Sequence, residues 1–118
     1  MTANILGTSY EIIVKKYDED EIFERNSFCG YCDPYAKAII LCDMNTYKGW
    51  ENEDQVTIEN CHKENLRHEI VHAFFYESGL WDNTNRDIGA WAKNEEMVDW
   101  IAMQGVKLFK AWSEVGAI

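Results

Sequence analysis

The chain has 118 residues, 47% of them hydrophobic and 14% aromatic, enough for one compact domain over residues 1–118 and too few for two. Its formal net charge is −10, from 21 acidic and 11 basic residues. Such a surface repels nucleic acid and anionic membranes, so neither is expected as a partner.

No apolar run reaches the roughly 18 residues that a membrane helix needs. Met1 to Lys16 lacks a basic segment followed by an apolar one, so no export signal is expected and the chain reads as cytoplasmic. Its four cysteines are then expected as thiols. Cys29 and Cys32 form C-x-x-C, but Cys42 and Cys61 stand alone. A four-cysteine zinc site or a redox pair is weakly signalled beside four separate thiols in or near the core.

In chain order, Tyr10, Ile12 and Val14 alternate with Glu11, Ile13 and Lys15 and predict a strand over Ser9 to Lys16. Tyr17 to Asn26 is charged and suits a loop or a short helical turn around Ile22 and Phe23. Phe28 to Cys32 and Lys37 to Cys42 read as two more strands, joined by a tight turn at Asp33-Pro34-Tyr35-Ala36. Met44 to Gln55 is a polar loop anchored by Trp50. A long helix follows over Thr57 to Ser78, with Asp54 or Thr57 as its cap and Gly79-Leu80 as its stop. Its apolar residues from Leu66 onward wrap most of the circumference, which predicts a centrally buried helix.

Trp81 to Gly89 reads as a polar loop. A second long helix is predicted over Trp91 to Ser113, with Val98, Ile101, Ala102, Gly105, Leu108, Phe109 and Trp112 on one stripe. The expected fold is α+β: a small antiparallel sheet of about three strands, then two long helices.

The first long helix carries His68-Glu69-Ile70-Val71-His72, an H-E-x-x-H pattern. Residues four apart share a helix face, so both imidazoles can reach one metal ion. Glu69 stands beside them as a general base. His62 does not share that face closely and reads as a surface residue. Zinc needs a third protein ligand if a fourth position is to stay open for catalysis. Glu77 is too close on the same helix, and Asp82 and Asp87 sit in the loop. Glu95 precedes Val98, Asp99 and Ala102 by three, four and seven, so it continues the buried stripe. Glu96 falls on another side, with Trp100 and Met103. Periodicity therefore selects Glu95 as ligand and places Asp99 behind it, where a carboxylate can accept the second N–H of His68 and fix the ring. A solvated acidic first turn is the alternative for these residues.

Asn94-Glu95-Glu96-Met97-Val98-Asp99 matches N-E-x-x-x-D. Together with the H-E-x-x-H upstream it resembles the gluzincin zinc metallopeptidases, the thermolysin-like group. The resemblance implies Glu95 as third ligand, Asp99 as hydrogen-bond partner of His68, and a minimal zincin-like core. The whole chain is similar to small metallopeptidase-like proteins of bacteriophages and mobile elements of Gram-positive bacteria, and also to the ImmA/IrrE-like peptidases. Leu66 to Leu80 and Trp91 to Ala102 carry the likeness. Larger gluzincins place a His or Tyr downstream to hold the oxyanion. The nineteen residues after Asp99 contain neither, which leaves Tyr31, Tyr35 and Tyr76 as phenols to consider.

The expected function is zinc-dependent hydrolysis of a peptide or protein substrate. Zinc would lower the pKa of its water to about 7, and Glu69 would take that proton and pass it to the leaving amine. Lys37 to Cys42 is the expected sheet edge for an extended substrate. A second reading is a zinc-binding regulatory or interaction protein, phage-related, without turnover. A third is a helical protein whose histidine pair is a core feature.

Overall fold

A computed structural model describes residues 1–81 and 91–118. Strand β1 (Thr2–Ile5) pairs antiparallel with β2 (Thr8–Lys15). Their two-residue connection, Leu6-Gly7, has positive φ at both positions, 50° and 90°, the geometry that matches the twist of a hairpin. Asn4 Oδ1 accepts the Gly7 N–H at 2.8 Å. The chain then makes a 3-10 turn at Tyr17–Glu19 and the short helix α1 (Glu21–Asn26), capped by Asp20. Strand β3 (Gly30–Asp33) turns back into β4 (Ala38–Cys42), with Asp33 Oδ1 accepting the Tyr35 and Ala36 N–H groups.

The sheet has four strands in the order β1-β2-β4-β3. It is mixed, because β2 and β4 run parallel. The expectation of about three antiparallel strands is corrected on both points. The α1 segment supplies the crossover length that parallel neighbours require. It carries the chain past β2's neighbour position to the far edge, and β4 returns into the gap.

All five residues of β4 are buried, as a strand covered on both faces must be. On one face Ala38, Ile40 and Cys42 meet Phe23, Met44 and Ile58. On the other Ile39 and Leu41 meet Ala73, with Leu66 and Ile70 against them. The second face is where helix α2 (Gln55–Glu77) lies. Asp54 caps α2 by accepting the Thr57 N–H at 2.8 Å. Gly79 follows its end at φ +81°, a conformation that suits glycine. The helix is buried on one side only. Phe74 is 39% exposed, so the expected all-round burial does not occur.

The second predicted helix is divided. A 3-10 turn spans Trp91–Lys93, and α3 runs over Glu95–Glu114. Asn94 makes the division by accepting the Met97 N–H at 2.9 Å as N-cap. Val98 and Ala102 of α3 are buried. No described helix is long and apolar enough to cross a membrane.

Candidate metal centre

Leu66, Ile70 and Ala73 seat α2 on the sheet, and this fixes the helix rotation. His68, Glu69, His72 and Tyr76 then fall on the flank beside that contact, facing one cavity. The Nε2 atoms of His68 and His72 lie 3.0 Å apart. Helix α3 runs antiparallel to α2 and brings in Glu95 from its first turn. Glu95 Oε2 is 3.2 Å from His68 Nε2, and Glu95 Oε1 is 3.2 Å from His72 Nε2. Asp99 Oδ1, one turn on, is 2.8 Å from His68 Nδ1. Arg67 Nε donates to the Ala102 carbonyl at 2.6 Å and ties the two helices together next to His68.

His68 Nδ1 donates to Asp99 at 2.8 Å, which turns its Nε2 toward His72 and Glu95. Burial holds His72 below the ordinary imidazole range, against the pull of Glu95. The Nδ1 of His72 is buried and has no hydrogen-bond partner among the described residues. Two imidazole nitrogens and a carboxylate thus converge with separations of 3.0–3.2 Å. Ligands about 2.0–2.1 Å from a tetrahedral ion stand roughly 3.3 Å apart. The donor set and its spacing fit zinc.

Glu69 is 7% exposed, and its Oε1 lies 3.9 Å from His68 Nε2. One donor atom from each of His68, Glu69 and His72 falls within 4.8 Å of the others. Burial pushes the Glu69 carboxyl up to about 8, with the negative charges of Glu95 and Asp99 adding to the shift. A cation among these groups would oppose it.

The cavity over these groups is about 580 Å³. The α2 flank forms one wall, and Gly30, Tyr31 and Cys32 of β3 form the opposite one. A Cβ on Gly30 would stand 3.0 Å from the Ile40 carbonyl oxygen and 3.5 Å from Glu69 Cγ, so the bare backbone permits the strand's close approach. Trp81 stands edge-on to His72 with ring centroids 5.6 Å apart, and Lys93 Nζ sits 5.2 Å over its ring. Sequence reasoning missed Gly30, Arg67 and Trp81. Only tertiary contact gives them a place here.

The other sequence candidates lie elsewhere. Glu96 lines an outer groove of α3 with Trp100 and Met103. Glu77 accepts from Thr8, Tyr10 and Lys37 and anchors the end of α2 to the sheet. Asp82 and Asp87, with their predicted loop, lie outside the described residues. His62 Nε2 accepts the buried Met44 N–H at 2.8 Å, a structural bond. All four cysteines are free. Cys29 and Cys32 line the cavity, and Cys42 is buried. Of the phenols, Tyr31 donates to Asp20 at 2.6 Å, and burial with that carboxylate pushes it up to about 12. Tyr35 is 88% exposed, whereas Tyr76 lines the cavity.

No family model matches the chain, and neither a curated protein nor a solved structure matches it.

Proposed function

We propose that the protein is a zinc-dependent peptidase. The observation that carries this reading is the convergence of His68, His72 and Glu95 beside buried Glu69, in a cavity bounded by a sheet edge. His68, His72 and Glu95 are the ligands that would hold the ion, and Asp99 would keep the His68 ring in the tautomer that leaves Nε2 free. Bound zinc supplies a Lewis acid and a water acidified to about 7. Glu69 is the base that would receive a proton on its carboxylate and return it to the leaving amine.

The substrate edge moves from the expected strand. Lys37 to Cys42 contains β4, which is paired on both sides and has no free edge. The edge beside the cavity is β3, and an extended peptide could pair there through backbone hydrogen bonds. Tyr76 is the phenol best placed to assist the oxyanion.

Glu69→Gln is the direct test. The variant should keep its zinc and lose peptide cleavage by about 10²–10⁴-fold. Cleavage at the wild-type rate would contradict the role of Glu69. The reading of a zinc-bound interaction protein without turnover draws support from Tyr31 and Tyr35, neither of which is free and inside the cavity. A peptide library cut by the zinc-loaded protein, and spared when chelator is present, decides for the peptidase.

A further inference from the structure

We propose that the C-terminal half of α3 is the interface of a homodimer. The stripe that buries Val98 and Ala102 continues along the helix through Leu108, Phe109 and Trp112, which are 37%, 62% and 44% exposed. No residue after Ala102 is buried. A helical stretch of this length without a packed face is only marginally stable by itself.

Two whole-molecule quantities point the same way. The chain exposes 8034 Å², whereas a compact monomer of 13.8 kDa exposes about 6,600 Å². Its radius of gyration is 15.6 Å, against about 13.5 Å for a compact domain of 118 residues. The excess surface, about 1,400 Å² per copy, lies in the range that obligate homodimers bury, and exceeds the roughly 800 Å² per partner of a standard interface.

Charge favours a second copy at this place. The chain carries −10 in total, so most of its surface repels another copy. Residues 100–118 hold two lysines, Lys107 and Lys110, against Glu114 alone, and are net +1. This is where two copies can meet without bringing their acidic surfaces together. Antiparallel pairing about a twofold axis covers the same apolar stripe on both copies. With α2 antiparallel to α3 in each, the result is a four-helix arrangement.

Sedimentation or light scattering on the full chain tests the proposal. Wild type should run as a dimer at low micromolar concentration. Phe109→Glu with Trp112→Glu should weaken the association at least about tenfold while the far-ultraviolet spectrum keeps its helical signal. A wild-type monomer at about 100 µM, or a dimer that the double variant leaves intact, overturns the proposal. If the variant fails to fold, the wild type still decides: a dimer's Tm rises with protein concentration, and a Tm independent of concentration overturns the interface. A wild-type monomer that binds acidic lipid vesicles would assign the stripe to a membrane surface and also overturn it. The proposal is independent of the peptidase reading.

Discussion

Asp99 Oδ1 sits 2.8 Å from His68 Nδ1, so a carboxylate on α3 sets the tautomer of an imidazole on α2. The Nε2 of His68 is thereby aimed at the point where His72 and Glu95 also converge. Asp99 itself is more than half exposed, which means that it contributes orientation and little packing.

Asp99→Ala should therefore lower zinc affinity by about 10–100-fold. The melting temperature of the metal-free protein should barely move, because no buried contact is lost. Competition with a chromophoric chelator gives the first quantity and calorimetry the second. An unchanged affinity would show that Asp99 does not support His68.

Gly30→Ala should destabilise the chain by about 1–3 kcal/mol, as overpacking does. The new methyl would press on the Ile40 carbonyl oxygen and on Leu41 Cδ2, both at 3.0 Å, and the first is backbone in the central strand. A fall in Tm of several degrees is expected. Zinc affinity should suffer less than cleavage, since the new methyl would stand 3.5 Å from Glu69 Cγ. A Tm equal to wild type would mean that the strand yields freely.

Acid should weaken the fold partly through Asp20. Tyr31 is the main cause that holds the Asp20 carboxyl below its ordinary range, with the Ile22 N–H and Lys15 adding to it. The folded pKa lies below the unfolded one, so the unfolded chain binds the proton more readily. The stabilisation is present above the ordinary value of about 4 and is lost as pH falls through the folded value. Asp20→Asn should lower stability at pH 7 and flatten its decline below pH about 4. Urea melts of the metal-free protein at pH 3, 5 and 7 check this, and parallel wild-type and variant profiles would contradict it.

The site was more legible than the sheet, for physical reasons. His68, Glu69 and His72 lie within one helical turn or so, and Glu95 and Asp99 within another. Local periodicity is enough to place each group on its helix face. Gly79 as a stop was likewise a local feature, whereas Asn94, taken as lying inside the second helix, was missed as the cap that divides it. Strand β1 escaped notice because its hairpin turns on Leu6-Gly7, with leucine at positive φ where asparagine or aspartate is the usual signal. The parallel pairing of β2 with β4 depends on where α1 sends the chain, which no periodicity records. The unbroken apolar run Ala38 to Cys42 did carry a signal for a strand buried on both faces. Reading it as a sheet edge was wrong, because β4 is paired on both sides. Arg67 and Trp81 enter the site through contacts with Ala102 and His72, and these exist only once the helices have packed.

Zinc titration by calorimetry, on wild type and on His72→Ala and Glu95→Ala, tests the central claim most directly. One zinc ion per chain should bind the wild type tightly, and each substitution should abolish that binding or weaken it by orders of magnitude. A wild-type chain that binds no zinc, or zinc binding indifferent to both substitutions, would contradict the metal centre.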